Sequence, residues 1–363
     1  MSAHQYRYEH VPGLFHLSTW DEDIDCSFGL VPPSWEAFAK EINALETTAA
    51  PGERIRVMYT ARHGEAEHNV LSAKYNLPEN VEAFEAVAAG ESRDRVSPGR
   101  GCWVAFLVHP PTTLVQDQTH PITDPPLTAR GRAQALQLSA TFEREHTRGM
   151  PLPTRFFVSP MRRPGETCGL EWCWMFSQSR SNGDAASAGA GAGSDAGSTV
   201  CECHEQRKPM VNGVGGHGAG KNGFPKHVER GEGSDWGHGV PGECIEELRE
   251  HLHVHHCDER LPTSQLKALF PTFTFPSSMP EEDTVWRPLS VRGRETEDEM
   301  VARAGRGLAI LMDSLRDEDT YVSLTAHSGL LRAVYKNLGV PLRRLATGEM
   351  NVLVVRVNKV AAV

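Results

Sequence analysis

The sequence predicts an α/β protein, a three-layer sandwich in which a mainly parallel central sheet is flanked by helices. Two observations lead to this fold class. Short runs of β-branched and large apolar residues occur at 55–60, 155–160 and 321–326, and segments with helical periodicity lie between them. Such alternation is typical of parallel sheets that are covered on both faces. Because ligands bind these sheets at the carboxyl ends of the strands, we expect functional residues directly after the three runs.

Each of the three predicted strands is followed by side chains that can bind phosphate. Arg62 and His63 follow the first strand, and the pair Arg162 and Arg163 follows the second. His327 follows the third strand, in a turn of small residues. The sequence therefore predicts that histidines and arginines from three strand ends form one site.

Helices are predicted between and after these strands. One spans residues 128–146 with Thr128 as its cap, a second begins with a capping box at 296–299, and a third pattern follows Gly329. The apolar residues expected on the inner faces are Ala133, Leu136, Ala140 and Phe142 in the first helix, and Met300, Ala304, Leu308, Leu311 and Leu315 in the second.

Residues 177–240 interrupt the alternating pattern. They are dominated by Gly, Ser, Ala and Asn and contain a low-complexity run at 185–193. This composition buries too little apolar surface to offset the entropy lost on ordering. We therefore predict a single domain over residues 26–360, with 177–240 as a flexible insertion within it.

Charge and composition limit the classes of partner. The formal net charge is −10, from 47 acidic against 37 basic residues, which argues against a nucleic-acid partner held by diffuse positive charge. No run of about 18 apolar residues predicts a membrane span, and the first residues lack the order of a signal peptide. We expect no membrane partner and no secretion, but a cytoplasmic location, with the nucleus as the alternative. Eight cysteines in this context predict no disulfide scaffold.

The pair Arg62 and His63 suits phosphoryl transfer. A neutral imidazole nitrogen can attack phosphorus in line while a hydrogen bond holds the other ring nitrogen. A guanidinium offers a planar fork to the phosphate oxygens, and in an acidic protein such local arginines must hold the anion. Gly64 would permit a tight turn directly after the nucleophile.

Five sequence elements occur in a recognisable order. They are Arg62-His63-Gly64, the run Leu127-Thr128-Ala129-Arg130-Gly131-Arg132-Ala133-Gln134, Ser159 with Arg163 and Thr167, Leu248-Arg249-Glu250, and Ala326-His327-Ser328-Gly329. Together they resemble the histidine phosphatase superfamily, which includes cofactor-dependent phosphoglycerate mutase and many broad-specificity phosphatases. More narrowly, the runs 68–70, 248–250, 256–260 and 347–349 resemble a fungal phosphomutase-like branch. The resemblance covers residues 28–348 outside the insertions and implies the histidine phosphatase, or phosphoglycerate-mutase-like, fold.

The resemblance also implies roles for individual residues. His63 would form the phosphohistidine, Glu250 would protonate the leaving oxygen and later activate water, and His327 would complete the catalytic set. The phosphate-binding residues would be Arg62, Asn69 and Arg163. These donors stabilise the charge on the equatorial oxygens, so we expect no metal and no cofactor. The expected partner is a small phosphorylated substrate, and the sequence makes no prediction of an oligomeric state.

Three functions are compatible with these residues. The leading interpretation is a phosphatase that hydrolyses a phosphate monoester through the phosphohistidine. A phosphomutase would use the same intermediate, but the chain lacks the tryptophan-containing Arg-His-Gly-Glu-Ser-x-Trp-Asn motif and the Asn-Glu-Arg-His-Tyr-Gly segment of classical mutases. A catalytically silent module that binds a phosphorylated ligand is the third possibility, and the intact nucleophile and arginines argue against it.

Some residues have a second interpretation. Glu250 could be a solvated carboxylate on a helix face, and Arg260 could either bind a substrate anion or form a surface salt bridge. Two clusters contain the residue types of zinc sites without the usual spacing. These clusters are His251, His253, His255, His256 and Cys257, and the run Cys201-Glu202-Cys203-His204 inside the insertion.

Overall fold

A computed structural model describes residues 5–17, 27–75, 122–177, 239–288 and 291–360. The strands in these ranges are β1 (Gln5–His10), β2 (Glu53–Arg62), β3 (Arg155–Val158), β4 (Gly242–Cys244), β5 (Tyr321–Ala326) and β6 (Met350–Val360). They form one six-stranded sheet in the order β1-β6-β2-β5-β3-β4. The predicted insertion at 177–240 lies almost entirely outside the described residues.

The sheet is mainly parallel, as the sequence predicts. β2 pairs parallel with β5, β5 with β3, and β3 with β4. β6 is the exception, because it runs antiparallel to both of its neighbours, β1 and β2. The three strands predicted from the sequence are therefore adjacent, and their carboxyl ends meet at one edge of the sheet.

Helices cover both faces of the sheet. They are α1 (Trp35–Thr47), α2 (Glu67–Tyr75), α3 (Ala129–Thr147), α4 (Arg162–Ser177), α5 (Thr263–Leu269), α6 (Glu297–Ser314) and α7 (Ser328–Leu338). Tyr59 of β2 packs in one core with α1, α3 and α4, whereas its neighbour Met58 packs in a second core with α6 and α7. This arrangement is the predicted three-layer sandwich. In the described part of the chain, no helix has both the length and the apolar character needed to cross a membrane.

Both predicted helix starts are confirmed. Thr128 Oγ1 accepts a hydrogen bond from the Gly131 N–H at 3.1 Å at the start of α3. Thr296 and Glu299 form a reciprocal capping box at the start of α6. The predicted inner face of α6 is also confirmed, since all but the last of its five apolar residues are buried and Leu315 is partly buried.

The predicted inner face of α3 is wrong. Ala133 and Ala140 are exposed, and of the four residues assigned to that face only Phe142 is buried. The apolar residues that the helix buries are Ala135, Leu138 and Phe142, which recur at helical spacing and so define a different face from the one predicted. The helix also buries the Glu145 carboxylate, which accepts a hydrogen bond from the Trp35 Nε1–H at 3.0 Å, and apolar periodicity does not predict this residue.

Candidate active site

The carboxyl ends of β2, β5 and β3 bring the predicted site residues together. His63 follows β2, His327 follows β5, and Arg163 lies in the first turn of α4, just after β3. The His63 backbone N–H donates to Ala326 O at 3.0 Å. The centroids of the His63 and His327 rings are 5.2 Å apart, in an edge-to-face arrangement.

His63 is held as a neutral imidazole. Its side chain is buried, and its Nδ1 lies 2.7 Å from Gly64 O. A carbonyl oxygen only accepts hydrogen bonds, so Nδ1 carries the proton and Nε2 keeps its lone pair. Burial, together with the positive charges of Arg163 and Arg62, holds the pKa of His63 well below its usual range. The arrangement therefore presents an uncharged nucleophilic nitrogen at neutral pH.

The turn after His63 is held by the second sequence element. A Cβ atom on Gly64 would lie 2.3 Å from Gly131 O, so only glycine permits this approach of the two backbones. The Glu65 N–H then donates to Gln134 Oε1 at 2.8 Å. Gly131 and Gln134 of the second sequence element thus fix the loop that carries His63.

Of the two arginines that follow β3, Arg163 is the one whose charge acts on His63. It is fully buried and donates to Cys257 O at 2.7 Å and to Asp258 Oδ1 at 2.6 Å. Burial opposes its charge, but nearby groups, Asp258 foremost, hold the pKa of Arg163 above its usual value. The neighbouring Arg162 donates to a glutamate on its own helix at 2.8 Å. Asp258 lies within a run that carries the family resemblance, but no sequence signal paired it with Arg163.

Arg62 extends from the end of β2 into the same region. Its Nη1 donates to Leu345 O at 2.7 Å. Burial and the nearby charges of Arg344 and Arg163 lower the pKa of Arg62, and the Glu250 carboxylate partly offsets them. Glu250 is therefore within electrostatic reach of this arginine.

Glu250 follows β4 and the short 3-10 turn Glu246–Leu248, so it is not on a helix face, and that interpretation is wrong. Its Oε2 accepts a hydrogen bond from the Gly329 N–H at 3.0 Å, and its Oε1 accepts one from the Leu330 N–H at 3.1 Å. A third bond comes from the N–H of the next residue at 3.0 Å. The half-buried carboxylate thus caps the N-terminus of α7, directly after His327.

His327 is buried at the N-terminal end of α7. Its Nε2 lies 2.8 Å from Oγ of Ser159, the first residue of the third sequence element. Burial, followed by the charge of Arg163, lowers the pKa of His327 well below its usual range. It is therefore a second neutral imidazole beside His63.

Asn69 makes two contacts that sequence reasoning did not predict. Its Oδ1 accepts a hydrogen bond from the Ala66 N–H at 3.0 Å, and its Nδ2 donates to His68 Nε2 at 3.0 Å. His68 Nδ1 therefore carries the ring proton. The His68 ring lies 5.7 Å from that of His63, and burial, then the charge of Arg163, lowers its pKa. Phosphate binding by Asn69 stays a prediction, whereas His68 is a site residue that the sequence analysis missed.

Four buried polar atoms around His63 have no hydrogen-bond partner among the described residues. They are Arg62 Nε, His68 Nδ1, Arg163 Nε and His327 Nδ1. Buried polar groups are rarely left unpaired, and those that are often have a catalytic or binding role. The two Nε–H groups and the His68 Nδ1–H can only donate, which suits an oxyanion ligand.

Arg260 forms a salt bridge, but a buried one and not the surface one that the sequence predicts, because its Nε lies 3.5 Å from Glu246 Oε2. It also donates to Leu261 O at 2.8 Å and to Pro280 O at 2.6 Å, and its binding of a substrate anion stays a prediction. The histidines at 251–256 do not share a strand face, because no strand covers residues 249–255 and a 3-10 turn occupies His256–Asp258. Within the described ranges, no group of three or more His, Cys, Asp and Glu side chains could hold a metal ion. The run at 201–204 lies outside those ranges.

Comparisons with known proteins give relatives that are named as phosphoglycerate mutases. No family model matches the chain. It is 23% identical to the "Probable phosphoglycerate mutase" of Arthroderma benhamiae over 340 residues, which are 93% of this chain and 74% of that protein. It is 36% identical to a "Probable phosphoglycerate mutase" of Saccharomyces cerevisiae over 124 residues, which are 31% of this chain and 41% of that protein.

Solved structures are also similar in part. One is a mycobacterial glucosyl-3-phosphoglycerate phosphatase in complex with VO3, with 16% identity, a TM-score of 0.35, and coverage of 81% of this chain and 90% of that one. Another is the ecdysone phosphate phosphatase of Bombyx mori in complex with tungstate, with 14% identity, a TM-score of 0.36, and coverage of 82% and 88%.

The fold and site define an α/β protein with a neutral histidine pair, the buried Arg163 and the half-buried Arg62 at the carboxyl edge of its sheet. The chain is similar to curated proteins that carry phosphoglycerate mutase names, in agreement with its resemblance to the histidine phosphatase superfamily. The two fungal relatives agree with the predicted fungal branch.

Proposed function

We propose that this protein is a phosphatase that hydrolyses the phosphate monoester of a small molecule through a phosphohistidine on His63. The observation that carries the proposal is the set of four unpaired polar atoms beside a neutral imidazole. A phosphoryl group in this position would receive donors on its equatorial oxygens and a nucleophile in line.

In the first half-reaction, His63 Nε2 attacks phosphorus and the bond to the ester oxygen breaks. Arg62 and Arg163 hold the equatorial oxygens, and His68 and His327 add neutral donors. Glu250 gives a proton to the leaving oxygen, which departs as an alcohol. Its Oε2 accepts one backbone hydrogen bond and so retains a lone pair for that proton.

In the second half-reaction, a water molecule attacks the phosphohistidine. The carboxylate of Glu250, deprotonated by the first step, takes a proton from this water. The bond between phosphorus and Nε2 breaks, inorganic phosphate leaves, and His63 returns to its neutral form. The His63 Nδ1–H bond to Gly64 O at 2.7 Å supports the imidazole throughout, because it stabilises the cationic ring of the intermediate.

A panel of phosphate monoesters tests the proposal with wild type, His63→Ala and a control variant, His146→Ala. His146 offers a matched control because its Nδ1 also lies near a carbonyl oxygen, that of Met150 at 3.1 Å, on α3. We expect acid-labile label from a radiolabelled ester on wild type and on His146→Ala, and none on His63→Ala. We expect EDTA to leave the activity unchanged, because the arginines supply the positive charge. Hydrolysis that survives His63→Ala would refute the mechanism.

A phosphomutase is the second candidate, because the curated relatives are named as mutases. Both reactions share the phosphohistidine and differ only in the acceptor of the phosphoryl group. Incubation with a bisphosphorylated primer and a monophosphoglycerate distinguishes them. A phosphatase releases inorganic phosphate, whereas a mutase gives the isomeric monophosphoglycerate.

A further inference from the structure

The segment that carries Glu250 has little regular structure of its own. β4 ends at Cys244, the 3-10 turn Glu246–Leu248 follows, and no helix or strand covers residues 249–255. Backbone carbonyl oxygens in such a buried segment need partners from elsewhere in the fold. These partners decide how firmly Glu250 is held.

Arg303, which projects from α6, provides the partners. Its Nη1 donates to Glu247 O at 2.9 Å and to Arg249 O at 2.8 Å. Its Nη2 donates to Glu250 O at 3.0 Å. The two remaining N–H groups, one on Nε and one on Nη2, donate to the Glu295 carboxylate at 2.7 Å each. All five N–H groups of this guanidinium are therefore used.

Glu295 holds the same segment from the other side of Glu250. Its Oε2 accepts a hydrogen bond from the Leu252 N–H at 3.1 Å, and its own N–H donates to Leu252 O at 3.3 Å. Glu295 and Arg303 are 4% and 6% exposed, so water competes little for these bonds. The backbone is thus tied both before and after the residue assigned as the acid.

Gly307 lets α6 approach closely enough for this contact. It lies one helical turn beyond Arg303, and a Cβ atom there would be 3.0 Å from Leu248 Cδ2 and 3.1 Å from Glu247 Cβ. The helix and the short turn therefore pack so closely that a Cβ atom at residue 307 would require these side chains to shift by a few tenths of an ångström.

Burial of two charged side chains costs free energy, and the attraction between them offsets this cost only when their hydrogen bonds are complete. A buried ion pair such as that of Arg303 and Glu295 is therefore weak evidence of a stabilising role. We infer that Arg303 and Glu295 are positioning residues, which fix the backbone at Glu250 so that its carboxylate meets the leaving oxygen of the substrate. The inference rests on the proposed phosphatase reaction, in which Glu250 protonates that oxygen.

The dependence of rate on the leaving group separates positioning from structural support. A dinitrophenolate ion leaves without a proton, whereas an alkoxide needs one. We compare kcat/KM, which reports the steps up to departure of the leaving group, for dinitrophenyl phosphate and for an alkyl phosphate. The variants are Arg303→Met, Arg303→Lys and Glu295→Gln, with Glu250→Gln as the reference for a lost acid.

We expect Arg303→Met to lower kcat/KM about 100-fold for the alkyl ester, because a displacement of about 1 Å can cost that much. For dinitrophenyl phosphate we expect a loss of less than about threefold, because its departure does not use the acid. Arg303→Lys and Glu295→Gln should show the same selectivity with a smaller loss, since each retains some of the hydrogen bonds. Glu250→Gln should show the largest selectivity.

Arg155→Met is the matched control. Arg155 makes a bidentate pair with Glu243 at 2.5 and 2.6 Å and donates to Ser314 O at 2.7 Å, like Arg303 with its carboxylate and carbonyls. It lies at the amino end of β3, away from the catalytic edge. We expect this variant to lower Tm and to change kcat/KM for both esters by the same factor.

The outcomes separate the inference from the proposed function. Selective loss on the alkyl ester supports the inference. Equal losses on both esters, or no loss, overturn it while leaving an active wild type and the proposed function intact. If Arg303→Met, Arg303→Lys and Glu295→Gln are all unfolded while Arg155→Met is folded, Arg303 and Glu295 have a structural role and the inference is wrong. If the wild-type protein hydrolyses neither ester and forms no phosphohistidine, the proposed function is wrong, and so is the inference that rests on it.

Discussion

Gly329→Ala should impair catalysis while leaving the protein folded. Gly329 is the second residue of α7, and its N–H donates to Glu250 Oε2 at 3.0 Å. A Cβ atom on residue 329 would lie 2.3 Å from Glu250 Oε1 and 3.1 Å from Glu250 Cδ. Since real Cβ atoms do not approach other atoms this closely, the carboxylate must move.

The size of each effect follows from these contacts. The carboxylate is the end of a flexible side chain, so it can turn away at the cost of the hydrogen bonds that Oε1 accepts from the Leu330 and His251 N–H groups, about 1.5 kcal/mol each. Alanine recovers about 1 kcal/mol over glycine in a helix, so the free energy of unfolding should fall by about 2 kcal/mol. A shift of the acid by about 1 Å should lower kcat/KM for an alkyl phosphate about 100-fold.

Gly305→Ala is a matched control for this substitution. Gly305 lies in α6, and the three atoms nearest to a Cβ atom there belong to the side chain of Asn337, with its Oδ1 at 2.9 Å. Urea denaturation of both variants, with kcat/KM on alkyl and dinitrophenyl phosphates, gives the comparison. We expect both variants to be folded and only Gly329→Ala to lose activity on the alkyl ester. A Gly329→Ala variant with wild-type kcat/KM on that ester would refute the role of Glu250.

Three further substitutions address the groups around this centre. Asp258→Asn removes the charge that is paired with Arg163 at 2.6 Å, so it should lower the free energy of unfolding by about 3 kcal/mol. Urea denaturation measures this loss, and a loss below about 1 kcal/mol would contradict the prediction. His68→Phe keeps the ring but removes the unpaired donor, and should raise the inhibition constant of tungstate about tenfold, whereas an unchanged constant would exclude that contact. Burial raises the pKa of Glu171 to about 8, so the folded protein favours the protonated, neutral side chain. The contribution of this side chain to the free energy of unfolding is therefore complete below its ordinary pKa of 4.5 and is lost as pH rises to about 8. The Tm of Glu171→Gln should therefore exceed that of wild type increasingly from about pH 5 to about pH 8, and a constant difference would count against a neutral Glu171.

The sequence predicts the strand-end residues because their placement is local. A buried strand that ends in a turn delivers the next side chain to the edge of the sheet, whichever strands lie beside it. His63, Arg62 and His327 depend only on this rule and on the parallel arrangement of β2 and β5. The position of β6 beside β2 does not follow from local pattern, because an apolar run does not specify its partner or direction.

The helix starts and the buried Glu145 of α3 show the same division. Thr128 accepts a hydrogen bond from a residue three positions later, so four neighbouring residues suffice to predict the cap. Burial of Glu145 depends on Trp35, which is 110 residues away, and no periodicity in α3 reveals that partner. Side chains whose environment comes from distant residues are therefore the ones that the sequence misassigns.

The roles of His68 and Asp258 were not predicted because the environment of each side chain comes from distant residues. Both lie in runs that resemble the fungal branch, but their roles depend on which distant group they meet. Asp258 meets Arg163 across 95 residues, and His68 is oriented by Asn69 only because the Asn69 Oδ1 is held by the Ala66 N–H.

Arg163, which is buried, and Arg62, which is half-buried, act on the histidines and would also act on the proposed substrate. Arg163 and Arg62 lower the pKa of His63, and both also lower the pKa of His327. The same positive charge would attract a phosphate dianion to the nucleophile. A nucleophilic imidazole must be uncharged to attack, so two groups that bind the anion also keep the attacking nitrogen in its reactive form. Lysines would supply the charge too, but they would lack the planar fork that lets Arg163 bond to Asp258 and Cys257 O while its Nε–H stays unpaired.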